Sequence, residues 1–248
     1  MAKVFFVSDL HIGSKTDPVY GRFLSFLDQI KKEKPSMLFI LGDLFEFLYG
    51  DGVYLSKKYS TLFLKLKELS VTGSKIYYLY GNHDFNFKLP FDFIETVPVL
   101  DKVKIGDRSC FIFHGDGLDP KDSKYRFLKY IVRGKFFKTV SKLLPSTVLY
   151  KLAHISSIIS RNTGSSKMFS KNRFLSYREY ALNKLSNTDI DLVVMGHTHV
   201  AELSSIKNKK GGNKYYMNTG FFRNNGTYGV IDRDSVYIGV FDDKVLLS

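Results

Sequence analysis

The sequence predicts an α/β (α+β) fold of two packed sheets with helices outside them and a helical cap inserted into the second half of the chain. Three observations carry this prediction. Short, continuous apolar runs recur and each ends in a turn rich in glycine, histidine or acid. Amphipathic helical patterns alternate with those runs in the first third, and a long basic segment without strand patterning separates two later runs.

In chain order, Val4 to Val7 reads as a buried strand that runs into Ser8 and Asp9. A helix follows, with Pro18 in its first turn, Phe23, Phe26, Leu27 and Ile30 on one face, and Lys31, Lys32 and Lys34 toward its C-terminal end. A strand at Met37 to Leu41 ends at Gly42 and Asp43. A second helical face, Leu62, Phe63, Leu66 and Leu69, leads through Gly73 into a strand at Lys75 to Tyr80, which ends at Gly81. Further strands are expected at Val103 to Ile105, Cys110 to Phe113, Leu192 to Met195, Tyr215 to Met217, Tyr228 to Ile231 and Ser235 to Val240. The order implies a parallel βαβαβ start and a more antiparallel second half.

With 44% hydrophobic and 15% aromatic residues in 248, the chain can bury a full core, which excludes intrinsic disorder. The single cysteine, Cys110, excludes a disulfide framework and a cysteine zinc site, and favours a reducing, cytoplasmic setting. No apolar stretch approaches the ~18 residues of a membrane span, and no leader pattern is evident, so a soluble or peripheral protein is expected. The net charge is +13, of which residues 118–178 carry +12, with fourteen Lys/Arg against Asp119 and Asp122. Amphipathic faces there, Phe127, Leu128, Ile131 and Val132, then Val148, Leu149, Leu152, Ile155, Ile158 and Ile159, mark a helical cap. The expected division is a core of 1–117 plus 179–248 and an inserted basic cap of 118–178.

The strand ends carry the chemistry, as open α/β sheets dictate. Asp9 and His11 are two apart, as are His197 and His199; Asp43, Asn82 and His83 follow glycine turns, and His114 follows Phe113. Five of the six histidines lie at such ends, His154 being the exception. Two carboxylates, four histidines and one amide oxygen exceed the needs of one tetrahedral ion, and a nitrogen and oxygen donor set without sulfur suits Mn²⁺, Fe²⁺ or Zn²⁺. Two divalent ions are therefore expected, with Asp43 bridging them roughly 3.5 to 4 Å apart, and a phosphate ester or anhydride as substrate.

Asp9 with His11, Gly42-Asp43, Gly81-Asn82-His83-Asp84, His114-Gly115-Asp116 and Gly196-His197-Thr198-His199 resemble the five ordered motifs of the calcineurin-like metallophosphoesterases. The resemblance implies a four-layer sandwich of two mixed sheets flanked by helices. It assigns Asp9, His11, Asp43 and His199 to one metal, and Asp43, Asn82, His114 and His197 to the other. His83 becomes the catalytic residue that stabilises the transition state or protonates the leaving oxygen. Glu46, three residues after Asp43, either orients His83 from behind or is a solvated acid, and Asp84 is open in the same way.

Within that superfamily the chain resembles the UDP-2,3-diacylglucosamine pyrophosphatases of lipid A biosynthesis, through Gly42-Asp43-Leu44-Phe45-Glu46, Asp84-Phe85, His114-Gly115-Asp116 with Asp122 and Tyr125, and Ser165-Ser166-Lys167. That likeness implies hydrolysis of UDP-2,3-diacylglucosamine to UMP and 2,3-diacylglucosamine 1-phosphate. Asn82, Asp122, Tyr125 and Lys167 would then contact substrate, Mn²⁺ would be the metal, and the basic cap would meet an anionic membrane surface on the cytoplasmic side. The chain has His83 where that family characteristically has arginine. Two other readings stay open: a general phosphodiesterase or phosphatase of soluble nucleotides, and a nucleic-acid-binding protein or nuclease. The cap's large aliphatic faces, in place of aromatic stacking platforms, weigh against nucleic acid.

Overall fold

Alternation of side chains along a strand determines how this chain layers, because a run that is apolar at every position must be covered on both faces. The computed structural model describes residues 2–50, 52–118, 148, 171–209 and 211–242. In it, β1 (Val4–Val7), β2 (Met37–Ile40) and β4 (Lys75–Leu79) lie side by side in parallel, as the βαβαβ reading requires. Their odd and even residues point to opposite layers. Phe5, Val7, Leu38, Ile40, Ile76 and Tyr78 pack against helices α1 (Pro18–Lys32), α2 (Val53–Lys58) and α3 (Ser60–Val71). Val4, Phe6, Phe39, Leu41 and Leu79 face the second sheet.

The first sheet has the order β13-β12-β1-β2-β4-β6, completed by β6 (Ile94–Val97), β12 (Thr227–Asp232) and β13 (Ser235–Val240). The second has the order β10-β11-β9-β8-β7, built from β7 (Val99–Ile105), β8 (Arg108–Phe113), β9 (Leu192–Met195), β10 (Ala201–Lys207) and β11 (Asn213–Thr219). Ile105, Cys110, Ile112, Leu192, Val194 and Met217 line its inner face. Tyr177, Ala181 and Leu185 of helix α4 (Lys171–Asn187) cover its outer face against Phe111, Val193, Met195 and Tyr216. Helix, sheet, sheet, helix is the expected four-layer order. Between the sheets, Phe39 stacks on Phe6 at 4.9 Å and on Tyr77 at 4.8 Å, three neighbouring strands contributing one ring each.

Helix α1 begins where its sequence says it should: Asp17 caps the N–H of Val19, Pro18 occupies the first turn, and Lys31 and Lys32 lie in the last.

The structure departs from the sequence reading in several places. The second half is more parallel than expected, since β9 runs parallel to both β8 and β11. Helix α4 supplies the β8 to β9 crossover on the outer face. The proposed boundary at 178 falls inside α4, whose Tyr177 is already buried in the core. Strands β3 (Leu48–Gly50), β5 (Asp84–Phe87), β6 and β10 carried no sequence expectation. β3 and β5 pair with each other as a small separate sheet beneath the site. β6 and β10 are sheet edges, where half-exposed residues dilute the apolar pattern. The cap positions from 119 to 170 lie outside the described residues, Val148 excepted.

Candidate metal centre

The ends of β1, β2 and β4 in one sheet and of β8 and β9 in the other meet at one seam, and every expected ligand sits on the turn that follows one of these strands. Those turns are backbone-strained. Among the described residues eight non-glycine positions have positive φ, and five are Asp9 (57°), His11 (48°), Asp43 (54°), His197 (67°) and His199 (59°). Each such residue costs on the order of 1–3 kcal/mol, so the surrounding contacts must hold it there. Glycine is required where the turns touch. Gly42 has φ 89°, and a Cβ on Gly81 would lie 2.7 Å from the Asp43 nitrogen and 2.8 Å from its Cγ.

The structure brings the donor atoms of these residues close to one another. Asp9 Oδ1 lies 3.3 Å from His199 Nε2 and 3.9 Å from His11 Nε2, and Asp43 Oδ2 lies 3.7 Å from His11 Nε2 and 3.5 Å from His114 Nε2. Asn82 Oδ1 is 3.0 Å from His114 Nε2 and 2.8 Å from His197 Nδ1, and those two ring nitrogens are 3.2 Å apart. Asp43 Oδ2 thus lies between the rings of His11 and His114.

Second contacts fix the ligands' orientation. His114 Nδ1–H donates to the Leu41 carbonyl at 2.6 Å, which leaves Nε2 turned toward Asn82 and Asp43 and free to bind a metal. His197 N–H donates to Asp9 Oδ2 at 2.8 Å, and His83 N–H donates to Asp43 Oδ1 at 2.8 Å. Buried Asp84 accepts the N–H groups of Asp43 (3.1 Å) and Gly81 (2.7 Å) on one oxygen and the Tyr78 hydroxyl (2.9 Å) on the other. It therefore shapes the Asp43 and Gly81 turns. His83 is half-buried, and its Nδ1–H donates to the Glu46 carbonyl at 2.7 Å, so Glu46 orients it through the main chain. That leaves Nε2 of His83 for a reacting group. The Glu46 carboxylate gathers with the rings of His11 and His83, their donor atoms all within 4.8 Å of one another. Asp122, Tyr125 and Lys167 lie outside the described residues.

A cluster this buried is electrostatically unfavourable as it stands. Burial and then the neighbouring His83 push His11 well below the usual imidazole range. Burial and the adjacent His114 push His197 down to about 3. His114 itself is raised to about 9 because the carboxylates of Asp43, Asp9 and Asp116 outweigh its burial. Burial and the Asp43 charge raise Asp84 to about 7, and burial also raises Asp43. Asp9, despite its burial, is held below the usual carboxylate range by His199, His114 and His11.

Asp9 Oδ1 and His11 Nε2 are buried and make no hydrogen bond. Donor sets Asp9, His11, His199 and Asp9, Asp43, His114 each fall within 4.8 Å. Orphaned acceptors, paired imidazole nitrogens and carboxylates around a common centre fit divalent cations, which satisfy all of them at once.

Sequence reasoning missed the residues that back the ligands without joining them. Ser8 Oγ lies 2.7 Å from Thr219 Oγ1, Asn218 Nδ2 donates to the Gly196 carbonyl at 2.8 Å, and the Phe221 ring stacks on His199 at 4.1 Å. Arg223 Nη1 donates to the His11 carbonyl at 2.6 Å. The available signal was Asn218-Thr219-Gly220 at the end of β11, a polar and glycine turn like those that carry the ligands.

Curated relatives extend over most of the chain. A UDP-2,3-diacylglucosamine hydrolase of Pasteurella multocida is 27% identical over 83% of this chain and 86% of its own length. One of Psychromonas ingrahamii is 25% identical over 94% and 95%. Among solved structures, a Vps29 variant from Entamoeba histolytica is 14% identical with a TM-score of 0.45, covering 97% of this chain and 93% of that one. No helix among the described residues is long and apolar enough to cross a membrane. The family model for calcineurin-like phosphoesterases matches residues 2–201, which takes in every turn of the metal centre, and the chain belongs to that family of metal-dependent hydrolases.

Proposed function

We propose that the protein hydrolyses the pyrophosphate of UDP-2,3-diacylglucosamine, giving UMP and 2,3-diacylglucosamine 1-phosphate, with two divalent ions, Mn²⁺ foremost. The observation that carries the reaction class is the convergence of seven nitrogen and oxygen donors from five strand ends around Asp43. The substrate rests on the names of the curated relatives, which match over most of both chains.

Asp9, His11, Asp43 and His199 would hold one ion, and Asp43, Asn82, His114 and His197 would hold the other. When bound, such a pair supplies Lewis-acid polarisation of the phosphoryl oxygens and acidifies a water to serve as nucleophile. The chain's own residues do the rest. His83 is turned by the Glu46 carbonyl so that Nε2 faces the reacting phosphoryl group, where its protonated form neutralises developing charge or protonates the departing oxygen. Asp84 keeps the Asp43 turn in register. Burial of the ligands excludes bulk water and strengthens each of these interactions.

The basic segment inserted between residue 118 and helix α4 is read as a cap. Its positive charge meets the anionic headgroups of the cytoplasmic membrane face, and its apolar faces cover the acyl chains, with Asp122, Tyr125, Lys167 and Asn82 at the sugar and phosphates. This makes the protein peripheral to the membrane.

The test is a direct comparison of substrates with Mn²⁺ present. Release of UMP from UDP-2,3-diacylglucosamine, well above turnover of a small aryl phosphodiester in detergent-free buffer, is the expected result. Turnover of the small diester alone would overturn the substrate and leave a general phosphoesterase, the reading that His83 in the arginine position favours.

A further inference from the structure

Helix α5 (Phe222–Asn225) follows β11 through a turn, and the segment from Asn218 to Arg223 donates no ligand to either ion. Its contacts nevertheless reach both loops that carry Asp9, His11 and His199. On the β1 side, Ser8 Oγ meets Thr219 Oγ1 at 2.7 Å and donates to the Gly220 carbonyl at 3.3 Å. Arg223 Nη1 donates to the carbonyls of His11 (2.6 Å) and Leu10 (3.4 Å) and to Asp17 Oδ2 (2.8 Å). On the β9 side, Asn218 holds the Gly196 carbonyl, and its own oxygen accepts the Gly220 N–H at 3.1 Å. The Phe221 ring lies parallel to His199, with 4° between planes, and edge-on to His11 at 6.2 Å.

Both loops hold their ligands in the left-handed region, a conformation that persists only under outside constraint. Arg223 is suited to supply it. Its single Nη1, on a planar and always charged guanidinium, meets all three acceptors, and a hydrogen bond from a charged donor to a carbonyl is worth more than a neutral one. Asp17 ties the same guanidinium to the start of α1, since it also caps Val19, so the β1 loop is gripped between a helix N-terminus and this arginine.

We infer that Arg223 and Phe221 are positioning residues for one ion of the pair, the ion of Asp9, His11 and His199, because their contacts fall on His11 and His199 and on neither Asn82 nor His114. The inference rests on the two-ion reading above. Arg223 fixes the His11 backbone so that Nε2 points inward; Phe221 fixes the plane of His199, the most exposed of these rings, with 38% of its side chain accessible. Loss of either loosens one site selectively.

The experiment is calorimetric titration of metal-free protein with Mn²⁺, paired with the electron paramagnetic resonance signal of a spin-coupled Mn²⁺ pair. Wild type takes up two ions. Arg223→Met should weaken one of them by about 10- to 100-fold and leave the other within about twofold, with the coupled signal replaced by a mononuclear one. Arg223→Lys, which keeps the charge and a donating nitrogen but not the planar group, should restore part of the loss. Phe221→Leu, the milder variant, should weaken the same ion less and guards against misfolding of the arginine variant. Equal weakening of both ions, or no weakening of either in a folded variant, would overturn the inference alone. Failure of wild type to take up two Mn²⁺ ions would overturn the two-ion reading together with it.

Discussion

The interior between the two sheets and the turns at their ends are built on opposite terms. Inside, Val4, Phe6, Phe39, Leu41, Ile112, Leu192 and Val194 are fully buried and are held by apolar packing that depends on volume more than direction. At the ends, Asp9, His11, Asp43, His197 and His199 sit in strained backbone; directed hydrogen bonds hold the first four, and the Phe221 ring lies against the fifth. The interior carries the stability and the turns give up some of it to bring seven polar groups together. The two regions should therefore fail independently.

The strongest test of that independence is Asp43→Ala. It removes the carboxylate shared by both halves, and at least one ion and about 10³-fold or more of the activity should go with it, while the fold survives. Elemental analysis beside a far-ultraviolet dichroism melt measures both; retention of two ions would break the bridging assignment. Next in size, His83→Ala should lower turnover by roughly 10² with both ions retained, because His83 contacts Asp43 through its backbone N–H, which alanine keeps. Unchanged kcat would remove His83 from the chemistry.

The converse change is Phe39→Ala, which empties a ring position stacked on both sides. It should cost about 3–5 kcal/mol in denaturant unfolding yet leave the ratio of Mn²⁺ to folded protein unchanged. Loss of metal at full folding would show that the interior tunes the site. The smallest expected effect is His199→Gly, which relieves a left-handed residue. Metal-free stability should shift by no more than about 1 kcal/mol even though one ion is lost; a large drop would mean that the strained turns carry stability after all.

The same contrast explains what could be read from the residues. Val4–Val7, Leu192–Met195 and Ser235–Val240 were legible to the residue, the first two because a doubly covered strand is apolar throughout. The candidate ligands stood out because histidine, acid and glycine have few other reasons to recur at strand ends. β10 was not, since its alternately exposed Ala201, Leu203, Ser205 and Lys207 carry no consistent polarity. Nor was the parallel pairing of β9 with β11, which depends on a crossover and not on either strand's composition. Arg223 escaped notice because it acts on main-chain carbonyls, which every sequence has and no motif records. Asp84 showed its position in the Gly81-Asn82-His83-Asp84 run but not its role, which comes from three donors that only the folded turn assembles.

Cys110 lies fully buried on the face of β8 that meets the first sheet, and burial pushes its thiol up to about 12. A thiol both sealed and protonated ignores alkylating reagents. Since the chain has no other cysteine, each labelled molecule is one whose two sheets have parted, and the rate of modification becomes a clock for that opening. Protein loaded with cations can be compared with stripped protein on the same clock, which would report how firmly the ions latch the sandwich shut from its rim.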